Sequence, residues 1–549
     1  VPLTPPTLHP AAQDAQADRA DPGRTHAVGS GALKACLATL AIAMTVAACG
    51  GGGGGDDNGG TPPPAPPAGP TPPAGPPPVT IAESCAAPAT GGTAPNTGEN
   101  PTQIGATIDA YTNCNSVFAG QKITFHVSDN SGQTGVLRNA NMRVWRVGET
   151  DQQVLDRTIS ISKQFIPKNA WENCCNWPVS YTLDVPQSWS TGYYKARFTS
   201  PDGGVSWLSF VVKNRTPGSV SKLVFQPPFD TSQMYNPWGG KSAYTYNSSN
   251  GIKAEVVSMR RPSETRYGNG NDLMLGVVEF IRWAESRNIA LEYLASDDLH
   301  ASSGVLSPYK AFVTVGHDEY WSQSMRDELD RFIDAGGNAA IMSGNTMWWR
   351  THKVTDQYGQ ALGLLKGKRT GGTDEDNETR TIGASYFKGG YVNHQTQPTL
   401  INEDYTIYQP SHWAFEGTGA TQGAKFGGDD QIHRYESDGL DVRFVNGKPV
   451  PTGTDGAPAG TQILAYTALP AGWDSPSTNA GFTGQGPNLT GTEGPNAVIS
   501  TFTRPNGGTV FNFGSTDYFR PLVGCTGTGA PQKMACRIAE NVLTRLGGN

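Results

Sequence analysis

The sequence predicts two folded units, an all-β sandwich over residues 100–215 and a doubly wound α/β domain over residues 216–549. The first prediction rests on short runs that alternate apolar and polar residues, separated by turn residues. The second rests on apolar strand-like runs that alternate with amphipathic helix patterns, as parallel βαβ units require. At 549 residues the chain is long enough for both units.

The first unit carries three clear alternating runs. They are KITFHVS at residues 122–128, NMRVWRV at 141–147 and VSWLSFVV at 205–212. A period of two indicates strands with one buried and one solvated face. Because several short strands at this spacing are typical of a sandwich, we interpret residues 100–215 as an immunoglobulin-like module.

The second unit ends in a predicted helix over residues 534–546, and residues 297–300 are predicted as a loop. The segment from about residue 355 to 500 is rich in glycine and has few clear strand patterns. We interpret that segment as a β-rich insertion whose loops cover the functional site of the α/β domain. Apolar runs predict strands at residues 222–225, 289–294, 311–315, 338–342 and 508–513.

The first 99 residues predict export and anchoring. A short apolar run ends in Ala-Ala-Cys49-Gly50, which resembles a bacterial lipobox. Residues 1–49 are therefore predicted to be a signal and lipobox region, with a lipid anchor at Cys49. The protein is then an outer-membrane lipoprotein that faces the periplasm or the cell surface. Residues 50–99, rich in glycine and proline, are predicted to be a disordered tether.

Charge and cysteine content narrow the partners and the compartment. The net charge of −7, with no basic stripe, argues against nucleic acid as a partner. Disulfides are expected in an exported chain. Adjacent Cys174 and Cys175 form either a vicinal bridge or two thiols. The pairs favoured by proximity alone are Cys85–Cys114 and Cys525–Cys536.

Residues 309–322 combine a fold signal with reactive chemistry. An apolar run ends at Gly316, three ionisable residues follow, and an amphipathic helix pattern begins after Ser322. This predicts a buried strand, a sharp turn and a helix. In an open α/β sheet, ligands bind at the carboxyl ends of such strands. We therefore expect His317 and Glu319 in a site, with Asp318 and Tyr320 holding the turn.

The sequence lacks the motifs of several common catalytic mechanisms. The turn after Gly316 contains no cysteine nucleophile, and the chain contains neither G-x-S-x-G nor H-E-x-x-H. A hard ferric ion, in contrast, prefers anionic oxygen ligands such as phenolate and carboxylate. A metal site built from tyrosine and glutamate is compatible with these residues.

A series of short motifs follows along the second unit. In chain order they are YNPWGGKSAY (235–244), RP (261–262), GHDEYWS (316–322), AGGN (335–338), SGN (343–345), HW (412–413) with GTG (417–419), YE-x-D (435–438) and FGSTD (513–517). Together, in this order, they resemble the large subunit of bacterial N,N-dimethylformamidase, and the similarity covers roughly residues 100–549. That enzyme hydrolyses a small amide with a mononuclear iron held by two tyrosinates and one glutamate. The resemblance also implies that the α/β domain is similar to the class I glutamine amidotransferases.

The resemblance implies a mononuclear ferric iron and its ligands. Glu319 matches the carboxylate ligand, and Tyr235 matches one tyrosinate. Tyr194 best matches the second tyrosinate because its spacing from Tyr235 suits the family, and neighbouring Tyr193 is the rival.

The resemblance also implies the catalytic groups. His317 and Asn345 match polar residues beside the iron. Glu436 matches the acid/base carboxylate, with Glu416 as the competitor. The implied substrate is a small N-alkyl amide; a homo-oligomer and the small partner subunit known in the family stay open. The alternative function is a non-catalytic surface-anchored binding or adhesion protein on the same scaffold.

Overall fold

A computed structural model describes residues 107–263, 276–355, 361–369, 377–478 and 494–548, apart from residues 506, 528 and 531. The predicted signal region with Cys49, the tether over residues 50–99 and the predicted disulfide partner Cys85 lie outside the described residues. Among the helices that are described, none is both long and apolar enough to cross a membrane.

Two sheets form the N-terminal unit. One has the strand order β1-β3-β6, and the other has the order β2-β8-β7-β4-β5. Their buried faces share one core that contains Phe125, Phe198 and Phe210. The strands are β1 (Ile108–Thr112), β2 (Ser116–Phe118), β3 (Lys122–Asp129), β4 (Arg138–Arg146), β5 (Gln152–Ile161), β6 (Tyr181–Asp184), β7 (Gly192–Thr199) and β8 (Val205–Lys213).

The second unit is built on a nine-stranded sheet with the order β11-β9-β12-β14-β25-β24-β23-β18-β19. Its strands are parallel from β11 to β25 and antiparallel from β25 to β19. A smaller four-stranded sheet has the order β10-β16-β15-β13, and β17-β20 and β21-β22 form two-stranded ribbons. The strands are β9 (Leu223–Phe225), β10 (Val256–Ser258), β11 (Glu292–Tyr293), β12 (Ala311–His317), β13 (Tyr320–Ser322), β14 (Asn338–Gly344), β15 (Trp349–Thr355), β16 (Ala361–Arg369), β17 (Ser385–Tyr391), β18 (Tyr405–Ile407), β19 (Lys425–Phe426), β20 (Glu436–Gly439), β21 (Val442–Val445), β22 (Lys448–Pro451), β23 (Gln462–Ala468), β24 (Asn496–Thr503) and β25 (Thr509–Asn512).

Helices cover both faces of the parallel strands. Val313 of β12 packs in one core with the helices Val277–Ser286 and Met534–Gly547. The neighbouring Phe312 points to the opposite face and packs in another core with the helix Gln323–Asp334. In the part of the chain that the structure describes, the remaining helices are Ala170–Asn173, Phe229–Tyr235, Ser296–Ala301, Thr379–Ile382 and Arg520–Val523, with 3₁₀ turns at Ser249–Gly251 and Trp413–Phe415.

The chain is therefore a mixed α/β protein with an additional β unit, as the sequence predicts at this coarse level. The predicted strands at residues 311–315 and 338–342 and the predicted C-terminal helix are confirmed. Four strands from the predicted insertion, β18, β19, β23 and β24, belong to the nine-stranded sheet. Part of that segment is thus an extension of the central sheet.

The predicted loop at residues 297–300 is wrong, because a helix spans Ser296–Ala301. The Asp298 carboxylate accepts a hydrogen bond from the backbone N–H of Ala295 at 2.8 Å. Two aspartates in the first turn also complement the positive end of the helix dipole. The Asp-Asp pair, interpreted as a loop signal, is a helix start.

The cysteine predictions are resolved in part. Cys525 and Cys536 form the predicted disulfide. Cys114 is also disulfide-bonded. Cys174 and Cys175 are buried thiols, so the vicinal bridge is absent.

Candidate metal centre

The site lies where the parallel strands β12 and β14 end. His317 is the last residue of β12, and it pairs in register with Gly344 at the end of β14. Gly316 has a φ of 85°, a backbone conformation that glycine adopts without steric cost. Ser322 then caps the next helix by accepting a hydrogen bond from the N–H of Met325. The predicted strand, turn and helix are therefore present.

A buried carboxylate is at the centre of the site. Glu319 is only 2% exposed. The Tyr235 hydroxyl donates a hydrogen bond to its Oε2 atom at 2.7 Å. The Tyr244 hydroxyl donates to Oε1 and Oε2 at 3.0 and 3.1 Å, and it also contacts the Tyr320 hydroxyl. Two phenols therefore contact this carboxylate, and a third phenol contacts one of them.

The backbone of Glu319 is fixed as well as its side chain. Its N–H donates to the Thr231 hydroxyl at 3.0 Å, and its carbonyl accepts from the N–H of Trp349 at 3.0 Å. Thr231 belongs to the helix Phe229–Tyr235, the same helix that ends in the Tyr235 phenol. One helix therefore holds both the Glu319 backbone and one of its phenol partners. The Asp318 carboxylate accepts from the Thr314 hydroxyl at 2.7 Å, which holds the turn from the other side.

A clamped loop brings Tyr244 back onto Tyr235. After the helix the chain turns at Gly239 and Gly240, both with positive φ, and the two phenol rings stack with centroids 4.2 Å apart. The buried Arg261 guanidinium donates to backbone carbonyls of this segment, among them Asn236 at 2.7 Å. Its other acceptors are the carbonyls of Trp238, Lys241, Gln233 and Ser258.

His317 and Glu436 complete the polar cluster. The Nε2 atom of His317 lies 3.2 Å from Glu319 Oε2 and 2.7 Å from Glu436 Oε2. Burial alone would lower the pKa of His317, but the Glu436 and Glu319 carboxylates raise it to about 10. Burial raises the pKa of Glu436, whose carboxylate also forms a hydrogen bond with Asn345.

The residues fit a hard trivalent cation. Burial, followed by the charge of Glu319, raises the pKa values of Tyr235 and Tyr244 well above the usual range. Without a cation these phenols are neutral donors to Glu319; a metal ion displaces such protons. Counting only His, Cys, Asp and Glu, the described residues offer no metal-binding group of three. The phenols are what complete an oxygen donor set of the kind that ferric iron prefers.

The predicted ligand Tyr194 lies elsewhere. Its ring stacks on Trp189 and Phe210 in the sandwich core, with centroids 4.9 and 5.7 Å away. Its hydroxyl donates to the carbonyl of Ser190 at 2.7 Å. The rival Tyr193 points to the opposite side of β7 and stacks on Phe229. Because strand side chains alternate, one tyrosine is buried in the sandwich and the other at the domain boundary.

The two glutamates considered as the acid/base carboxylate lie in different parts of the structure. Glu436 is 4% exposed and lies in the cluster. Glu416 is exposed and follows the 3₁₀ turn Trp413–Phe415, where its carbonyl accepts from Asn541. The geometry therefore favours Glu436 over Glu416.

The sequence did not identify Tyr244 as a site residue, and it assigned Tyr320 only to holding the turn. Tyr244 ends the motif YNPWGGKSAY, which begins with Tyr235, and the Pro-Trp-Gly-Gly turn between them was the available signal. Aromatic side chains also line one side of the site. One of them is Tyr435, whose ring centroid lies 5.6 Å from that of His317. Tyr391 contacts Tyr435 edge-on at 5.2 Å. The site is thus polar at its base and aromatic at its side.

A family model described as "N,N-dimethylformamidase beta subunit-like, C-terminal" matches residues 138–528, more than half of the chain. No curated protein matches significantly. Among solved structures, the chain matches a Paenibacillus sp. cycloisomaltooligosaccharide glucanotransferase complexed with cycloisomaltoheptaose at 12% identity and a TM-score of 0.16. That match covers 47% of this chain and 33% of the other, so the chain spans about a third of that enzyme.

Substituting Gly344 by alanine should disturb the site and the fold together. An added Cβ would lie 2.5 Å from the Thr516 nitrogen and 2.9 Å from the Glu436 carbonyl oxygen. Since both contacts are backbone atoms, we expect a loss of about 1–3 kcal/mol in the free energy of unfolding, measured by urea denaturation. Gly494→Ala, with no atom near the added Cβ, is the matched control. Equal stability of the two variants would contradict this packing.

Proposed function

We propose that this chain, which belongs to the N,N-dimethylformamidase beta subunit-like family, is an iron-dependent hydrolase of small amides. The observation that carries the proposal is the convergence of two buried phenols, Tyr235 and Tyr244, on the Glu319 carboxylate. The bond cleaved is the C–N bond of an N-alkyl amide, and the products are a carboxylic acid and an amine.

Tyr235, Tyr244 and Glu319 are the proposed iron ligands. Tyr244 replaces Tyr194 in this set, because the Tyr194 hydroxyl is committed to the Ser190 carbonyl in the sandwich. When bound, the iron supplies Lewis acidity that polarises a carbonyl or a water molecule. Three anionic oxygens would balance the charge of a ferric ion.

The proposed proton transfers use Glu436 and His317. Glu436 accepts a proton as water adds to the amide carbon, and it returns that proton to the nitrogen as the C–N bond breaks. His317, 2.7 Å from Glu436, keeps that carboxylate in place and ionised. Asn345, which is hydrogen-bonded to Glu436, would stabilise the oxygen that gains negative charge.

The detailed fold assignment and the cellular location are part of the same proposal. We take the two-sheet unit to be immunoglobulin-like and the α/β domain to be similar to the class I glutamine amidotransferases. The disulfide between Cys525 and Cys536 supports export, since such bonds persist in oxidising compartments. Export with a lipid anchor at Cys49 would place the enzyme at the outer membrane.

Ferric tyrosinate absorbs visible light by charge transfer, so colour tests the ligand set. The protein loaded with ferric iron should show a visible band that is lost or strongly reduced in Tyr235→Phe and Tyr244→Phe. Tyr194→Phe should keep the band, because Tyr194 lies in the sandwich core. The measurement is visible absorption with and without iron, beside release of amine from a panel of small N-alkyl amides and formamides.

The outcomes of the colour test separate the candidate functions. A wild-type protein that stays colourless with iron and releases no amine would favour the non-catalytic binding or adhesion protein. A band lost in Tyr194→Phe but kept in Tyr244→Phe would return the second ligand to Tyr194.

Glu436→Gln should separate catalysis from metal binding. The amide cannot accept the water proton, so we expect kcat to fall by about 100-fold or more. The visible band should persist, because Glu436 is not in the proposed ligand set. Asp430→Asn, a change of a partly buried carboxylate that pairs with Lys533, is the control. Unchanged turnover in Glu436→Gln would remove Glu436 from the mechanism.

A further inference from the structure

A lysine ammonium lies against the phenol cluster. The Nζ atom of Lys366 is 4.0 Å from the ring centroid of Tyr244 and 4.1 Å from that of Trp349. It is 5.8 Å from the ring centroid of Tyr320. These separations lie within the range of cation–π interactions, about 6 Å or less. The Tyr244 ring beneath this cation is the one whose hydroxyl donates to Glu319.

The position of Lys366 follows from strand pairing. Lys366 belongs to β16, which pairs with β15 so that Lys366 lies opposite Thr351. On its other side β15 pairs with β13, where Trp349 lies opposite Tyr320. Tyr320 directly follows Glu319 in the chain. The sheet therefore connects the ammonium to the carboxylate at the centre of the site through three neighbouring strands.

A cation at this position acts on the phenol electronically. Positive charge near an aromatic ring lowers the energy of the ring electrons. A unit charge about 4 Å away is a large perturbation where water is mostly excluded. Tyr244 is 7% exposed, so solvent screens its interaction with the ammonium only weakly.

We propose that Lys366 is a positioning residue that acts through Tyr244 and sets the energy of the charge transfer from that ligand to iron. The inference rests on the proposed iron site and adds a residue outside the proposed ligand set. The proposed effect of Lys366 depends on the charge of its ammonium and not on the bulk of its side chain.

The test compares Lys366→Met with Lys366→Arg in protein loaded with ferric iron. Methionine keeps an unbranched stem and removes the charge, so the tyrosinate band should move to longer wavelength by an amount on the order of tens of nanometres. Arginine keeps the charge, so its band should stay near that of wild type. The potential at which the iron is reduced should fall in Lys366→Met and stay near the wild-type value in Lys366→Arg.

Lys195→Met is the matched control, because Lys195 lies over the Trp207 ring in the sandwich at 5.9 Å. Its band should not move. A wild-type band with an unshifted Lys366→Met band would overturn the role of Lys366 and leave the iron site standing. Equal shifts in the Met and Arg variants would show that packing and not charge matters, and would also overturn it. A wild-type protein without any band would overturn the iron site itself, and this inference with it.

Discussion

The burial of the Glu319 carboxylate is the constraint on which the rest of the site depends. An ionised carboxylate removed from water costs several kcal/mol unless donors or positive charge compensate it. Here two phenol hydroxyls and the His317 ring nitrogen lie within 3.2 Å of its oxygens. The same compensation creates the candidate metal centre, because phenols that are close enough to donate to a carboxylate are close enough to share a cation with it.

Several segments that are far apart in the sequence must meet to surround the Glu319 carboxylate. Glu319 follows the end of β12, Asn345 follows the end of β14, and Glu436 is the first residue of β20. The close backbone approach at Gly344 allows the β20 segment to lie beside the end of β14. On the other side, the Arg261 guanidinium binds carbonyls of the loop between Tyr235 and Tyr244 and so fixes the spacing of the two phenols. Parallel strands that end together are the usual place for such convergence.

The local parts of the site could be predicted from the sequence, and the parts that depend on distant pairing could not. The strand, turn and helix around Glu319 are encoded by neighbouring residues, so the apolar run, Gly316 and the helix pattern were sufficient. Tyr194 was assigned from the family resemblance and its spacing from Tyr235, but alternation along β7 directs its ring into the sandwich core. The role of Tyr244 could not be predicted, because its position depends on the reversal of the loop after Tyr235. The long antiparallel pairing of β23 with β24 is also not encoded in any local sequence pattern.

The central claim is that Tyr235, Tyr244 and Glu319 hold one iron ion. Anomalous diffraction at the iron absorption edge, from crystals of the iron-loaded protein, tests it most directly. The account predicts a single strong peak within bonding distance of both phenol oxygens and the Glu319 carboxylate. A peak at another position, or an iron-soaked crystal with no peak between these three side chains, would contradict it.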